Sequence, residues 1–458
     1  MLDTGAPASA PTAQRIAELT GREERSFRER RQRSAELWRE ASETIPRGVA
    51  SSFQDTPPQP VFIDHGQGSR VWDVDGNEYV DLHNGFGVMV VGHAHPAVVA
   101  AIQGQLARGT HFAQPVAANA VVARELSRRF GQPQWRFTNS GTESTLDAIR
   151  IARGFTGRDR IVKIESSYHG HHDAVLVSVE PPPDLMGPAE APAPVPMSDG
   201  IPRSTVSLTS VVPFNDLGAL DRVLSGHDDV AAVIVEPTMM NIGIVFPDPG
   251  YLDGVLEMAH RHGALLIFDE VKTGVTLAPG GATQLFGVVP DLVCLAKAIG
   301  GGLPCGAVGG RADVMRTISD GRVAQLGTFN GNPLTMAAAQ ATLCEVLVPS
   351  AYAHFDALAE EMGGGLRGVI ADTGLPYHVV TAGSRGCITY RAEAVRNYRD
   401  YLGIDRSMAY LAWLYQSNRG VLMAPGAEEN WTLSVQHSLD EVRVYVDNFH
   451  SLAEELTA

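Results

Sequence analysis

The chain has 458 residues, of which 44% are hydrophobic, and its formal net charge at pH 7 is −16. This length allows two or three domains with a sizeable core, and the composition excludes a disordered chain and a membrane-spanning one. The negative charge argues against a nucleic-acid surface and favours solubility.

The four cysteines indicate a reducing compartment. They have no CxxC spacing, which argues against zinc and against disulfides. The first fifteen residues have no apolar segment typical of a signal peptide, so a cytoplasmic location is expected. The cysteines are Cys294, Cys305, Cys344 and Cys387.

The N-terminal part combines a helical pattern with a hairpin pattern. Residues 22–43 are predicted to form one helix, with Phe27 on its apolar face and Pro46 shortly after its end. The basic cluster within 28–33 is predicted to be a solvated face of this helix, because acidic residues interleave with it. The sequence RVWDVDGNEYVDL (70–82) alternates around a DG turn and predicts a β-hairpin.

From about 86 to 330, apolar strand patterns alternate with helical ones, which predicts an α/β fold with a mostly parallel sheet. The predicted strands are 135–138, 160–164, 230–236, 264–269 and 291–295. The Pro-rich stretch 181–202 is predicted to be a loop. A long helix is expected to start near 332–334. The expected division is an N-terminal segment (1–70), a large domain (71–330) and a C-terminal small domain (331–458).

Two segments carry the main chemical signal. ALLIFDEVKTG (264–274) has Asp269 at the end of a buried strand pattern, and PDLVCLAKAIGGGLP (290–304) has Lys297 at the end of another. The carboxyl ends of parallel strands converge on the ligand crevice of an α/β sheet. A lysine that holds an aldehyde as a Schiff base and an aspartate that holds a pyridine nitrogen protonated would suit pyridoxal phosphate (PLP). The alternative is an ordinary strand-end carboxylate and a solvated lysine.

A phosphate site is a possible reading of Ser140-Gly141-Thr142, which lies between a strand and a long helix. The free N–H groups and positive dipole end of a helix N-terminus bind anions. On this segment alone an ordinary helix cap is the better explanation, since Ser and Thr are favoured there for local reasons.

Taken together, these segments resemble the class III PLP-dependent aminotransferases, and among them the glutamate-1-semialdehyde 2,1-aminomutase branch. The resemblance implies the aspartate-aminotransferase-like fold (fold type I), with a smaller α+β domain built from the N- and C-terminal segments. It extends over roughly residues 36–445. The matching segments include IPRGVASSF (45–53), VGHAHPAVVAAI (91–102), TNSGTES (138–144), EPTMMNIG (236–243), DEVKTG (269–274), GTFNGNPL (327–334) and RGVLMAPGAEENWTLSVQHSLDEV (419–442).

The resemblance implies roles for individual residues. Lys297 would be the Schiff-base lysine and proton shuttle, Asp269 would pair with the pyridinium nitrogen, and Tyr168 would stack on the ring. Thr328 would reach the phosphate of the neighbouring subunit, which implies a homodimer with shared active sites. The implied cofactor contacts are Ser140, Gly141, Thr142, Tyr168, Asn241, Asp269, Val271, Lys297 and Thr328. Glu236 would shape the pocket floor.

The run from His169 to Asp173 has the composition of a metal site. Its spacing matches no single-face helix or finger pattern, so no metal is expected there. In the resemblance, this run simply follows the stacking tyrosine.

Departures from the aminomutase pattern concern the substrate. Ser51 is kept, but Gln54 stands where an arginine would contact the substrate, and a neutral amide cannot supply a bidentate charged grip on a carboxylate. Arg47, or another arginine that the sequence does not locate, could bind the carboxylate instead. Glu429 matches a glutamate of the aminomutases, and the pair Glu428–Glu429 would favour a substrate that presents a hydroxyl or an amine.

The resulting prediction is an aminotransferase that moves an amino group from an amino-acid donor to a carbonyl acceptor through pyridoxamine phosphate. The main alternative is an aminomutase, which moves the amine within one molecule. A PLP-dependent racemase or decarboxylase and a non-catalytic protein of the same fold stay open, because scaffold does not fix reaction. The expected partners are small molecules, without nucleic acid or membrane.

Overall fold

The computed structural model describes residues 11–427 and 430–458. They form two compact units. Unit 1 consists of the described parts of Met1–His95, Ala353–Ala394 and Gly403–Ala458, and unit 2 consists of Pro96–Tyr352 and Val395–Leu402. The predicted division at residues 70 and 330 stays a prediction.

The helices, in chain order, are α1 (Ala13–Glu29), α2 (Gln32–Ala41), α3 (Asn84–Gly87), α4 (Pro96–Leu106), α5 (Ala117–Phe130), α6 (Gly141–Thr156), α7 (Arg203–Val206), α8 (Leu217–Gly226), α9 (Tyr251–Arg261), α10 (Gly281–Phe286), α11 (Ala312–Ser319), α12 (Pro333–Ala341), α13 (Pro349–Thr373), α14 (Tyr398–Tyr401), α15 (Arg406–Asn418) and α16 (Leu439–Thr457). Short 3₁₀ turns cover Pro46–Gly48, Ser52–Gln54 and Lys297–Gly300, and a π turn covers Thr342–Val346.

The strands are β1 (Ile63–Gln67), β2 (Arg70–Asp73), β3 (Glu78–Asp81), β4 (Gln134–Thr138), β5 (Arg160–Ile164), β6 (Thr209–Val212), β7 (Val230–Val235), β8 (Leu265–Asp269), β9 (Leu292–Ala296), β10 (Gly306–Gly310), β11 (His378–Ala382), β12 (Arg385–Thr389), β13 (Val421–Leu422) and β14 (Trp431–Thr432).

Unit 2 contains a seven-stranded sheet in the order β4-β10-β9-β8-β7-β5-β6. The pairs from β6 to β9 are parallel, whereas β10 runs antiparallel to both of its neighbours. Every residue of β7, β8 and β9 is buried, as expected for parallel strands covered on both faces. The predicted mostly parallel α/β sheet is confirmed. All five predicted strands are present, while β6 and β10 were not predicted.

Helix α6 packs on this sheet and forms the core of unit 2 with it. Ser140 caps its N-terminus and Gly157, in the left-handed region, ends it. Its apolar side chains pack among those of β5, β7, β8, β9 and β10; the cluster includes Ile149, Ile151, Ile161, Ile234, Ile267, Leu292 and Val308.

Unit 1 contains a four-stranded sheet (β1-β2-β3-β13) and a three-stranded one (β11-β12-β14), with helices from both ends of the chain. Strands β2 and β3 form the predicted hairpin. The prediction of one helix over 22–43 is wrong: α1 ends at Glu29 and α2 begins at Gln32.

Arg31 explains that break. It is fully buried, has non-helical dihedral angles, and donates to the carbonyls of Phe27 and Ser417 and to Tyr79 Oη. The expectation of a solvated basic face is therefore wrong at Arg31, because a buried guanidinium satisfied by carbonyls stabilises the break.

The remaining predictions concern single segments. Between residues 165 and 202 the structure has neither helix nor strand, which confirms the Pro-rich loop. Helix α12 begins at Pro333 with Asn332 as its cap, as predicted, but it gives way to the π turn after nine residues. Among the described residues no single helix is long and apolar enough to span a membrane, although the bent pair 333–346 and 349–373 passes that test on length and composition.

Candidate active site

Asp269 and Lys297 lie at the carboxyl ends of two adjacent parallel strands. Asp269 is the last residue of β8 and pairs in register with Cys294 of β9. Strand β9 ends at Ala296, and Lys297 opens the following 3₁₀ turn. Lys297 has a φ of 51°, which is uncommon for a residue other than glycine and is found disproportionately at functional sites.

The Asp269 carboxylate is oriented by two hydrogen bonds. His169 Nδ1 lies 2.7 Å from Oδ2, and the Val271 backbone N–H donates to Oδ1 at 3.0 Å. Asp269 is only 4% exposed and His169 is buried. Because both oxygens are held, the carboxylate has a fixed direction at the end of its strand.

His169 is the residue that sequence reasoning missed. It was considered only as part of a possible metal run, although its place directly after Tyr168 was a usable signal. In the structure this run is divided: His169 pairs with Asp269, His171 Nδ1 lies 3.0 Å from Thr142 Oγ1, and His172 Nε2 lies 3.3 Å from Thr145 Oγ1. Within residues 11–427 and 430–458, no group of three or more His, Cys, Asp or Glu side chains is arranged to hold a metal ion.

Tyr168 and Asn241 share one anchor, the buried carboxylate of Glu236. The Tyr168 backbone N–H donates to Glu236 Oε1 at 2.8 Å, and Asn241 Nδ2 lies 2.9 Å from both oxygens. Burial, and to a lesser extent the charge of Asp269, raise the pKa of the Tyr168 phenol. This phenol therefore stays neutral at physiological pH. The structure directs the amide nitrogen of Asn241 towards Glu236.

The predicted phosphate segment begins helix α6. Ser140 Oγ accepts from the Glu143 backbone N–H at 3.2 Å, so its side chain acts as an ordinary helix cap. Gly141 lies against Val271: a Cβ at Gly141 would stand 2.9 Å from Val271 Cγ1. The absence of a side chain there brings the first turn of α6 next to the residue predicted to pack on the cofactor ring.

The residue after Asp269 ties the strand end to helix α10. Glu270 is buried and accepts from the backbone N–H groups of Ala282 and Thr283 and from the hydroxyls of Thr273 and Thr283. Burial raises the pKa of this carboxyl, and these four donors oppose that rise. Glu270 therefore fixes the backbone beside Asp269.

The predicted substrate residues lie mainly in unit 1. Ser51 and Gln54 are exposed on the loop 45–58. Gln54 Oε1 accepts from the Ala50 backbone N–H at 3.1 Å, and Arg47 forms an ion pair with Asp55. The predicted Glu429 lies outside the described residues.

The residues of unit 2 fit pyridoxal phosphate. A buried, oriented carboxylate suits a protonated pyridine nitrogen, and the first turn of α6 offers N–H groups and hydroxyls to a phosphate. Lys297 at the neighbouring strand end supplies an amine. The close approach of Gly141 to Val271 places the first turn of α6 beside the residue that is predicted to pack on the ring.

Comparison with known proteins agrees with this site. The fold and site define an enzyme of the PLP-dependent fold type I class. A model of the family "Aminotransferase class-III" matches residues 51–388. The chain belongs to the class III aminotransferase family.

Relatives and solved structures support the same class. Glutamate-1-semialdehyde 2,1-aminomutase 2 of Brevibacillus brevis is 39% identical over 420 residues, which cover 90% of this chain and 96% of the relative. The crystal structure of a glutamate-1-semialdehyde aminomutase from Pseudomonas aeruginosa PAO1 matches with a TM-score of 0.89 and 32% identity, over 98% of this chain and 100% of that one. A variant of that enzyme was solved in complex with PMP.

A transaminase structure is similar to almost the same degree. The omega-transaminase from Sphaerobacter thermophilus matches with a TM-score of 0.87 and 31% identity, over 93% of this chain and 98% of that one. The chain is thus a PLP-dependent enzyme of the aminotransferase or aminomutase kind, and fold type I is confirmed.

Proposed function

We propose that this enzyme transfers an amino group from an amino-acid donor to a separate carbonyl acceptor, with Lys297 as its reactive amine. The observation that carries the proposal is the placement of Asp269 and Lys297 at adjacent strand ends, with Asp269 oriented by His169. A surface lysine and an ordinary strand-end carboxylate would not need a buried histidine at 2.7 Å to orient the carboxylate.

When bound, PLP would supply an aldehyde that is reactive towards amines and a ring that withdraws electrons from the neighbouring carbon. Lys297 Nζ would hold the aldehyde between turnovers, and as a free amine it would accept the proton from the amino-bearing carbon and return it. Asp269 keeps the pyridine nitrogen protonated through an ion pair in a buried place. Tyr168 and Val271 would pack on the two faces of the ring and exclude water from it.

The remaining cofactor contacts follow the same reasoning. Ser140, Gly141 and Thr142 bind the phosphate at the first turn of α6, where the helix dipole favours an anion. Asn241 binds the ring 3-oxygen, and its anchor Glu236 limits how its amide can turn.

The loop 45–58 supports a separate acceptor rather than the aminomutase substrate. Its only side chain that could grip a carboxylate with a full positive charge is Arg47, which is already paired with Asp55. Gln54 has a neutral amide, and its oxygen already accepts a hydrogen bond from the Ala50 backbone N–H. An uncharged ketone or aldehyde group suits this loop better than a carboxylate, and Ser51 can donate one hydrogen bond to it.

Intramolecular transfer is the second candidate. It is favoured by the names of the relatives, since the protein of Brevibacillus brevis is a glutamate-1-semialdehyde 2,1-aminomutase. Glu429, where the aminomutases also have a glutamate, favours the same reading.

A homodimer with shared sites is part of the proposal. Thr328 is exposed on a segment where Leu326 is 83% and Phe329 is 59% exposed. The rings of Phe329 and His111 lie tilted to each other with their centroids 4.8 Å apart, and the neighbouring Phe112 is also exposed. A surface so apolar is typical of an interface between subunits. A second copy would cover it and bring Thr328 to the other site.

A cytoplasmic location is proposed as well. All four cysteines are free thiols, and the pKa values of Cys294 and Cys305 are raised by burial, so both are inert.

The direct experiment is a half-reaction screen. The PLP form is mixed with single amines, and its conversion to pyridoxamine phosphate is followed by absorbance; the aminated enzyme is then mixed with single ketones or aldehydes. Return of the PLP spectrum with a separate acceptor supports intermolecular transfer. Turnover of glutamate-1-semialdehyde alone, with no response to any other acceptor, would establish the aminomutase instead.

A further inference from the structure

The chain uses lysine very rarely. Of its 36 Lys and Arg residues only three are lysines, namely Lys163, Lys272 and Lys297. Arginine cannot lose its proton in a protein, whereas the amine of lysine can. A lysine in a chain that otherwise uses arginine is therefore a candidate for an amine that works in its neutral form. Lys297 has such a role in the proposed function. Lys163 is given no role there, so its function remains to be explained.

Lys163 is fully buried in strand β5, with 0% of its surface exposed. Its Nζ donates to the carbonyl oxygen of Ser167 at 2.9 Å and to that of Val177 at 2.5 Å. A neutral amine has two N–H groups, which matches these two acceptors. An arginine would bring a larger head and a permanent charge into the same space.

The charges that face Lys163 come from two carboxylates. Glu236 and Glu165 both favour its protonated form, but burial outweighs them and lowers its pKa to about 7. Glu165 also forms an ion pair with Arg399 at 2.7 Å, and this pairing weakens its electrostatic attraction to the Lys163 amine.

One bond of Lys163 holds a turn that needs support: Nζ donates to the Ser167 carbonyl within the turn 165–170, and its second bond joins the lysine to Val177 beyond the turn. Ser166 has a φ of 61°, a strained value for serine, and Ser167 directly precedes Tyr168. Two further hydrogen bonds hold the turn after Ser167. The Tyr168 N–H donates to Glu236, and Thr145 Oγ1 donates to the His169 carbonyl at 2.6 Å. Lys163 thus holds the start of a segment whose other end orients Asp269.

We propose that Lys163 is a positioning residue whose buried amine fixes the turn that carries Tyr168 and His169, and so prepares the ring-stacking face and the partner of Asp269. This inference rests on the proposed role of Tyr168 at the cofactor. Lys163 acts through the turn and touches no substrate.

A pH dependence follows, with a defined sign. The pKa of Lys163 falls from 10.5 in the unfolded chain to about 7 in the fold, so the unfolded form binds more protons between these values. The contribution of this lysine to stability therefore rises with pH above about 7, and it is lost as the pH falls to about 7.

The test compares Lys163→Met and Lys163→Arg with Arg160→Met, which removes a cation from the other end of the same strand, where Arg160 pairs with Asp229. Three readouts are taken on the PLP-loaded protein: the rate of PLP release on dilution, hydrogen exchange of residues 165–170, and the unfolding temperature from pH 7 to 9. Arg160→Met is expected to lower the unfolding temperature without faster release of PLP.

For Lys163→Met, loss of two buried hydrogen bonds should speed PLP release roughly tenfold or more and speed exchange of the turn. Its unfolding temperature should rise less between pH 7 and 9 than that of the unaltered protein. Lys163→Arg should not restore retention. Release and exchange equal to those of Arg160→Met would overturn the proposal, as would full rescue by arginine.

If Lys163→Met does not fold, Lys163→Gln is measured in its place: PLP release and exchange of the turn equal to those of Arg160→Met overturn the inference. Normal transamination together with an unchanged rate of PLP release in Lys163→Met would contradict this inference and leave the proposed function intact. Failure of the unaltered protein to bind PLP would sink the proposed function itself.

Discussion

Two regions of the molecule differ in how far their polar side chains are buried and hydrogen-bonded. The strand-end cluster of unit 2, made of Tyr168, His169, Glu236 and Asp269, is buried or half-buried, and bonds within the cluster hold it together. The loop 45–58 of unit 1 is mostly exposed and rests on short-range contacts, such as the pair Arg47–Asp55.

Under the proposed function, this difference separates the residues that serve the reaction from the residues that select the substrate. Buried groups that are held on several sides cost little reorganisation during a reaction, which suits the invariable chemistry of a cofactor. An exposed loop can change its side chains with little cost to the fold, which suits the choice of substrate. Changes in the cluster should therefore abolish or slow every reaction, and changes in the loop should alter only which acceptor is used.

The largest effect is expected for Lys297→Ala. Loss of both the attachment amine and the base should reduce transamination at least roughly 10⁴-fold for every donor. The variant should still bind PLP, because Asp269 and the first turn of α6 are unchanged. Single-turnover kinetics with the best donor measure the loss. Residual activity within tenfold of that of the unaltered enzyme would contradict the role of Lys297 in the reaction.

Asp269→Asn should have the next largest effect. It removes a charged partner worth about 3 kcal/mol in a buried place, so a loss of roughly a hundredfold in kcat is expected. Asp291→Asn is a suitable control, since Asp291 lies at the opposite end of the sheet and pairs with Arg311 and His260. That control should lower the unfolding temperature and leave the spectrum of the bound cofactor unchanged. Equal kinetic effects in both variants would contradict the role of Asp269.

A smaller effect is expected for His169→Phe. The change removes one hydrogen bond to Asp269 and keeps an aromatic ring, so kcat/KM should fall roughly tenfold for all acceptors alike. His260→Phe, which changes a histidine on Asp291, serves as the control. A loss of kcat/KM for one acceptor alone would contradict the claim that the buried cluster serves every reaction and only the loop selects the acceptor.

The smallest effect, and the one most specific to the loop, is expected for Gln54→Arg. An added guanidinium should improve kcat/KM for acceptors with a carboxylate by roughly three- to thirtyfold and change little for uncharged ketones. The measurement is the ratio of the two kcat/KM values before and after the change. An unchanged ratio would show that this loop does not select the substrate.

The sequence predicted the parts of the site that depend on local pattern. Continuous apolar runs that end in Asp269 and Lys297 indicate buried parallel strands, and strand ends converge by geometry. The start of α6 was also predictable, because Ser140 has the same capping role in sequence statistics and in the structure.

Other parts depend on contacts far apart in the chain. His169 meets Asp269 across a hundred residues, and only its place directly after Tyr168 distinguishes it from the other two histidines of the run. Strand β10 was not predicted because its sequence, GAVGG, lacks strand propensity. Its Gly309 lies opposite Trp135 of β4, where a Cβ would stand 2.7 Å from the indole ring. Arg31 ends a helix only because Tyr79 and Ser417 accept its bonds.

The central claim is that Lys297 is the amine that carries the cofactor, and reductive labelling tests it most directly. The PLP-loaded protein is treated with borohydride, digested and mapped by mass spectrometry. Because the chain has only three lysines, the peptides give a clear answer. The pyridoxyl group is expected on Lys297, with bleaching of the visible band, and Lys163 and Lys272 should be unlabelled. A pyridoxyl group on Lys272 or Lys163, with Lys297 unmodified, would contradict the account.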